Sequence, residues 1–301
     1  MLKAALTTTA LATLLTTAAA GATLEEADAL FDARGDSSRN GKTIDEKAAN
    51  AAAALDMYKE LLTTETDTFT RAYIGGQIGR SYVFIGDFIL PKDDETTFRG
   101  FNRKAWFDDC FSYIDIISPE NLGVRTQTWH YTKAACIAFS SELAGLLEKL
   151  ANSAYFEEGG DQDIMYNGIA IGVEYQGGAI LRTLSGVRSN PLAVAIGVGD
   201  FNEALDSAQT ALDVANSSEY DRNSTIGLDY CDNYRYKAAA LIELERTDEA
   251  LDTLLDAFDY FGVEGDAGDF EVLFPPAGLA IDTEVCVERI FELAADKGLS
   301  L

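Results

Sequence analysis

The sequence is poor in the residues from which catalytic and metal sites are most often built. It contains one histidine, His130, and its four cysteines share no Cys-x-x-Cys spacing. A single histidine excludes a histidine pair for zinc and gives no support to a Ser-His-Asp or His-Cys arrangement. Two acidic loops, 161–163 and 264–269, do not match the EF-hand spacing for calcium. We therefore predict no metal ion, no cofactor and no catalytic residue.

Acidic residues leave one enzymatic alternative open. The chain has 50 Asp and Glu residues, so some carboxylates will lie close together. A carboxylate-dependent hydrolase would need two acids facing each other in a cleft, and no pair in the sequence is singled out for that role. A carboxylate-dependent hydrolase is therefore kept as an alternative to a non-catalytic protein.

Basic residues are also scarce, with 23 Lys and Arg and a net charge of −27. So large an acid excess repels nucleic acids and anionic lipids, which we exclude as partners. The chain is nevertheless 47% hydrophobic, which is enough to build a core and argues against disorder.

No uninterrupted apolar run is long enough to span a membrane, and the first 22 residues instead resemble a secretory signal. Lys3 provides a positive start, 4–15 is apolar but interrupted by threonines, and 18–22 offers small residues for cleavage. No cysteine lies near the cleavage region, which argues against a lipid anchor. We predict a cleaved signal peptide over 1–22, a periplasmic or secreted protein over 23–301 and no membrane insertion; the alternative is an alanine-rich first helix.

Strand patterns are absent as well, since no segment alternates clearly between apolar and polar residues. Apolar residues recur at helical spacing instead, which predicts an all-α chain forming one superhelical domain of helix hairpins over 23–301. The predicted helices are 24–33, 44–62, 69–88, 102–117, 124–151, 164–187 as a pair or one broken helix, a short one from 191, 201–215, 229–244, 247–261 and 282–295.

Two of the cysteines are placed so that they could pair. Cys110 and Cys136 lie about equally far from the turn at 119–123, on two segments that we interpret as antiparallel helices. In an oxidising compartment such cysteines can form a disulfide. Free buried thiols are the alternative.

A repeated phrase indicates the type of helical architecture. Glu-Ala-Leu-Asp occurs at 203–206 and again 46 residues later at 249–252, which is typical of helical repeats that bury their faces by stacking. The segment 234–257 also has the tetratricopeptide spacing, with Tyr234, Ala238 and Leu241 in its first helix and Ala250, Leu254 and Ala257 in its second. The chain therefore resembles a tetratricopeptide array, although Lys237 stands where that family has an apolar residue.

A second resemblance concerns the segment before the repeated phrase. Residues 174–182, Ser189-Asn190-Pro191 and Gly199-Asp200 are similar to the T-component family of TRAP transporters. That resemblance implies an exported helical protein that associates with a periplasmic solute-binding protein. The chain departs from the family in lacking a lipobox cysteine.

The same segment supplies the first candidate ligand site. Gly177 and Gly178 are adjacent glycines in an apolar stretch, so they require close packing or a break in the helix. Arg182 and Arg188 are conspicuous in so acidic a chain, and a guanidinium group binds a carboxylate through two hydrogen bonds. The alternative is that Arg182 pairs with an internal acid such as Glu174 and only braces the fold.

Aromatic residues supply the second candidate. Trp106, Trp129 and Tyr82, with Tyr131, could line a groove between helix hairpins or could belong to the core.

These observations predict a non-catalytic exported scaffold that binds a protein or small ligand, as an accessory to solute uptake. The alternative is a scaffold for cell-envelope assembly that binds no solute. A central cavity lined by Arg182 and aromatic residues would favour the first, and a filled core the second.

Overall fold

The computed structural model describes residues 22–35, 41–93, 95–195, 197–215, 230–276 and 278–301. The signal segment predicted over 1–22 lies outside this part of the chain except for its last residue. The described chain is mostly helical, so the all-α class is correct. None of its helices is both long and apolar enough to cross a membrane.

The elements follow one another in a simple order. They are α1 Leu24–Asp32, α2 Ile44–Thr64, α3 Thr68–Val83, a π-helical turn Phe84–Ile89, α4 Arg103–Ile114, α5 Pro119–Leu122, α6 Gln127–Glu142, α7 Leu146–Ser153, α8 Met165–Ile169, α9 Ala179–Arg188, α10 Pro191–Ala195, α11 Phe201–Ala215, α12 Cys231–Glu243, α13 Thr247–Phe261, β1 Val263–Asp266, β2 Asp269–Val272 and α14 Ala280–Lys297. Short 3₁₀ turns cover Ala33–Gly35, Asp115–Ile117 and Ala154–Phe156.

The helix starts are encoded by polar caps. Thr23 and Thr43 each form a capping box with the glutamate three residues later, Glu26 and Glu46. Asp67 caps α3 by accepting a hydrogen bond from the Thr70 amide. These side chains satisfy amides that the first helical turn leaves unpaired, so α1, α2 and α3 begin where the sequence changes from polar to apolar.

Two predictions about local structure are wrong. The segment 264–269 is part of an antiparallel hairpin in which Asp266 faces Asp269 across Ala267 and Gly268. The strands were missed because they have only four residues each, too few to show an alternation. The helix predicted over 124–151 is interrupted at 143–145, so α6 and α7 are separate helices.

Small residues allow the N-terminal helices to pack closely. A Cβ atom at Gly75 would lie 2.5 Å from the Ile117 side chain, and one at Gly79 would lie 1.7 Å from the Thr132 side chain. Glycines in α3 therefore bring its backbone close to α6 and to the 3₁₀ turn at Asp115–Ile117.

The core consists of two hydrophobic clusters. The first extends from Ala27 to Ala211, and the second is built from α12, α13 and α14, including the buried residues Ala238, Leu254 and Ala257 of the repeat-like segment. Helix α14 contributes Ile281 and Val285 to the first cluster and Val287 and Ile290 to the second. It also contacts the π-helical turn, so the end of the chain packs back onto its beginning.

Candidate ligand-binding cavity

A partly open cavity of about 610 Å³ lies beside the first core cluster, which contributes Phe31, Phe84 and Tyr131 to its wall. Its wall includes residues of α3, the π-helical turn, α6, α9, α12 and α14, so segments from both ends of the chain enclose it. A volume of this size is typical of pockets that hold a small organic molecule.

Most of the wall is apolar or aromatic. Phenylalanine and tyrosine rings account for much of the lining, and they come from six separate segments. They are Phe31, Phe84, Phe88, Phe139, Phe156, Tyr131, Tyr230 and Tyr236. Such rings provide apolar contact area and, in tyrosine, a hydroxyl for hydrogen bonding.

The charged part of the wall is mainly basic, although the chain is strongly acidic. Seven basic side chains among the described residues line the cavity, namely Arg34, Arg80, Lys92, Lys149, Arg182, Arg235 and Arg289. Four acidic ones do so, namely Asp87, Glu142, Asp232 and Asp282. Among the described residues the wall therefore carries more basic than acidic side chains, in a chain whose acidic residues outnumber its basic ones by 50 to 23.

Three of these carboxylates have close basic partners. Asp87 lies 3.0 Å from Arg103 Nη2 and 2.9 Å from Arg289 Nη2, and Asp232 Oδ1 lies 2.6 Å from Arg235 Nε. Glu142 pairs with Lys92 at 3.3 Å and with Arg103 at 2.9 Å. Burial alone would raise the pKa of Asp87, but Arg289 and Arg103 lower it well below its usual range.

The fourth carboxylate, Asp282, is more loosely paired. Its Oδ1 atom lies 3.8 Å from Arg34 Nη2, and both side chains are more than nine-tenths buried. Asp282 Oδ2 and Arg34 Nε are buried without a hydrogen-bond partner among the described residues. Burial raises the pKa of Asp282 to about 6, against the opposing effect of Arg34. Burial lowers the pKa of Arg34.

Two guanidinium groups on the wall have only neutral partners. Arg80 donates to Gln77 Oε1 at 2.6 Å, and its Nη2 atom is buried without a hydrogen bond to a described residue. Arg182 donates to the Gly177 carbonyl at 3.3 Å and to Asn233 Oδ1 at 3.1 Å. Within the described chain, no carboxylate oxygen lies within 4.0 Å of either group. Arg182 thus does not pair with Glu174, which binds Gln127 instead.

The glycines of the candidate segment form the start of α9. Gln176, Gly177 and Gly178 all have positive φ, at 50°, 58° and 80°. A Cβ atom at Gly178 would lie 2.8 Å from the Ala211 Cα atom, so α9 and α11 approach each other closely there. The turn directs the Gly177 carbonyl toward Arg182, and this positions the guanidinium group at the cavity wall.

Arg188 does not line the cavity. Its Nε atom lies 2.7 Å from Glu203 Oε2, and it donates to the Phe156 carbonyl at 3.0 Å and to the Tyr166 hydroxyl. These contacts join α9 to α8 and α11. Arg188 therefore braces the fold and is not part of the cavity wall.

The candidate aromatic groove is part of the first core cluster. Trp106 donates to the Tyr82 carbonyl at 2.9 Å, and Trp129 donates to the Ile114 carbonyl at 3.1 Å. The Tyr82 hydroxyl contacts Lys59 and Asp109. All three aromatic residues are at least nine-tenths buried, and none lines the cavity, whereas Tyr131 does.

The cysteines form two disulfides. One joins Cys110 and Cys136, between α4 and α6. The other joins Cys231 and Cys286, between α12 and α14, and its 55-residue separation gave no signal in the sequence.

Over the described ranges no group of three or more His, Cys, Asp or Glu side chains could hold a metal ion. His130 is buried, and burial lowers its pKa.

Sequence reasoning missed most of the charged wall. Arg34, Arg80, Arg235 and Arg289 lie on four different segments and share no local motif. The one usable signal was that Arg80 lies in a helix that is otherwise apolar and glycine-rich, in a chain with few basic residues.

No known protein-family model matches the sequence, and no curated protein is significantly similar to it.

Proposed function

We propose that this protein is an exported, non-catalytic helical scaffold that binds a small ligand in its central cavity. The observation that carries the proposal is a partly open pocket of about 610 Å³ with an aromatic and basic lining. A protein that acted only as an assembly scaffold would have no need of a concave site in which aromatic rings and guanidinium groups from distant segments meet, whereas a small ligand requires such a site. This observation favours ligand binding over the envelope-assembly alternative.

The carboxylates of the cavity support a binding role over hydrolysis. Each of the four faces a basic side chain, with Asp87 between two guanidinium groups. A general acid would need a raised pKa close to a second, free carboxylate. Asp282 has the raised pKa, but its neighbour Asp232 is bound to Arg235.

We further propose that the scaffold is tetratricopeptide-like and superhelical, and that a periplasmic solute-binding protein is its protein partner in TRAP-type uptake. The repeat-like segment 234–257 and the similarity over 174–200 support this proposal. Affinity capture from envelope extract, analysed by mass spectrometry, tests the partner. Recovery of no solute-binding protein would contradict the uptake role and leave ligand binding to be judged separately.

Native mass spectrometry tests ligand binding. Protein isolated from its native source should carry a bound organic molecule. Ala239 lines the cavity on α12, so Ala239→Trp should fill part of the volume and abolish the adduct. Ala295, exposed on α14, is the matched control, and Ala295→Trp should retain the adduct. A folded wild-type protein that carries no adduct and gains no thermal stability from any small-molecule library would contradict the proposal.

A further inference from the structure

We propose that the ligand is an organic carboxylate with an apolar body, and that its carboxylate lies against Arg80 and Arg182. This inference rests on the proposed ligand-binding function and specifies its chemistry. It follows from three features of the cavity: unneutralised guanidinium groups, polar groups that converge on them, and aromatic walls around the remaining volume.

The charge balance of the wall calls for an anion. Seven basic and four acidic side chains line the cavity, and each acidic one already faces a basic partner. Arg80 and Arg182 have no carboxylate oxygen within 4.0 Å in the described chain; Arg80 interacts with Asp282 only at longer range, and Arg182 is only 8% exposed. A buried charge without a counterion is unfavourable, so a bound anion would relieve the cost at both groups.

Arg34, Arg80 and Arg182 reach the cavity wall from three separate elements, namely the 3₁₀ turn at Ala33–Gly35, α3 and α9. Arg34 and Arg80 lie against the same ring, with their Cζ atoms 4.2 and 4.6 Å from the centre of Phe31. Arg182 lies 4.2 Å from the centre of the Tyr230 ring. Arg34 Nε and Arg80 Nη2 are both buried donors without a hydrogen bond to any described residue. These groups offer hydrogen bonds that a ligand can accept.

The remaining wall selects for an apolar body. Phe84, Phe88, Phe139 and Phe156 surround the volume together with Val187 and Leu192. A small inorganic anion would neutralise the guanidinium groups but would leave these rings in contact with water. A carboxylate on an apolar body satisfies both parts, since the planar guanidinium fork matches the carboxylate and burial of the body adds affinity.

Isothermal titration calorimetry with four probes tests the chemistry. Phenylbutanoate carries both features, phenylbutanol lacks the charge, phenylbutylamine reverses it, and acetate lacks the apolar body. Wild-type protein should bind phenylbutanoate about tenfold or more tighter than phenylbutanol, because a hydrogen bond to a charged group contributes a factor of that order. Phenylbutylamine and acetate should bind more weakly than either.

Substitutions of the two arginines test where the carboxylate of the ligand binds. Arg80→Gln and Arg182→Gln should each weaken phenylbutanoate binding about tenfold or more and leave phenylbutanol binding unchanged. Arg80→Lys should recover part of the loss, because it restores the charge without the planar fork. Arg246→Gln, at the exposed residue directly before α13, is the matched control and should bind like wild type. Circular dichroism verifies that each variant is folded. If one of the two arginine variants does not fold, the other still tests the position of the carboxylate.

The outcomes separate this inference from the proposed function. Equal affinity for phenylbutanoate and phenylbutanol, or no effect of either arginine substitution in folded protein, would overturn the carboxylate assignment. If no probe binds while native protein still carries an adduct that Ala239→Trp removes, the cavity binds a ligand and the carboxylate assignment is wrong.

Discussion

Arg289 binds Asp87 through both of its terminal nitrogens, across 202 residues of sequence. Its Nη1 and Nη2 atoms lie 3.1 and 2.9 Å from the two carboxylate oxygens, and Nη2 also donates to the Asp87 carbonyl at 2.7 Å. Arg103 binds the same carboxylate from α4. The C-terminal helix α14 is thereby attached to the π-helical turn, and the two segments form adjoining parts of the cavity wall.

Replacing Asp87 by asparagine should strongly destabilise the protein. The change leaves Arg103 and Arg289 buried without their shared counterion, and breaking a buried ion pair costs about 3–5 kcal/mol. Urea denaturation near neutral pH measures the loss. Asp56→Asn is the matched control, because the Asp56–Arg99 pair is also bidentate but exposed, and its loss should cost at most about 1 kcal/mol. Equal losses of unfolding free energy in the two variants would show that the buried pair of Asp87 and Arg289 stabilises the protein no more than an exposed ion pair does.

The same ion pair predicts a loss of stability in acid. The pKa of Asp87 is lowered in the folded protein, so the stabilising effect of its charge is present above its ordinary pKa of 3.8 and is lost as the pH falls below that value. Asp87→Asn should abolish this part of the pH dependence. Denaturation curves for both proteins between neutral pH and about pH 3 test the sign.

Asp282 should have the opposite effect. Burial raises its pKa from 3.8 to about 6, so the protonated form is favoured in the folded state and stability falls as the pH rises through this range. The facing charged groups are Arg34, Arg80 and Asp232. Asp282→Asn removes the titrating charge and also the counterion of Arg34, so a gain and a loss of stability oppose each other. The stability difference between variant and wild type should shift in favour of the variant between pH 4 and pH 7; a difference that is equal at the two pH values would contradict the assignment.

The disulfide between Cys231 and Cys286 should maintain the cavity. It joins α12 to α14, and both helices contribute to the wall. Replacing both cysteines by alanine should cost about 2–5 kcal/mol and weaken phenylbutanoate binding. The matched double variant at Cys110 and Cys136 removes the disulfide between α4 and α6, of which only α6 lines the cavity, so it should lose stability but weaken binding less than the variant at Cys231 and Cys286. Equal effects on binding would show that the C-terminal disulfide has no special relation to the cavity.

Gly178 should tolerate no side chain. Its φ is 80°, and a Cβ atom there would lie 2.8 Å from the Ala211 backbone. Gly178→Ala should cost more than the roughly 1 kcal/mol that a left-handed conformation alone imposes on alanine. Gly268 has a φ of 87° and open space around its Cα, so Gly268→Ala isolates the conformational cost. Thermal denaturation of both variants compares the losses, and equal losses would argue against close packing of α9 on α11.

The sequence predicted the parts of this structure that depend on local pattern. Apolar periodicity located the helices, and the small residues Ala238, Ala250 and Ala257 are indeed buried where α12 and α13 meet. Patterns of this kind identify a helix face because residues three and four apart share it. The break at 143–145 was missed because its main signal, Gly145, is an isolated glycine, which a helix can tolerate.

The cavity could not be predicted in this way, because it depends on which distant segments meet. Arg80 and Arg182 are 102 positions apart, and Arg289 follows Asp87 by 202. Of the cavity's arginines, only Arg182 was identified as a candidate, because an arginine there is conspicuous in so acidic a chain. Arg188 follows Arg182 by less than two helical turns but lies on a different face of α9, which its sequence neighbourhood did not reveal.

A crystal structure of protein isolated from its native source, with the co-purified molecule retained, tests the central claim most directly. The account predicts density for an organic acid inside the cavity, with its carboxylate within hydrogen-bond distance of Arg80 or Arg182 and its apolar body against the phenylalanine rings. A cavity filled only by water or by rearranged side chains, or a ligand bound elsewhere on the protein, would contradict it.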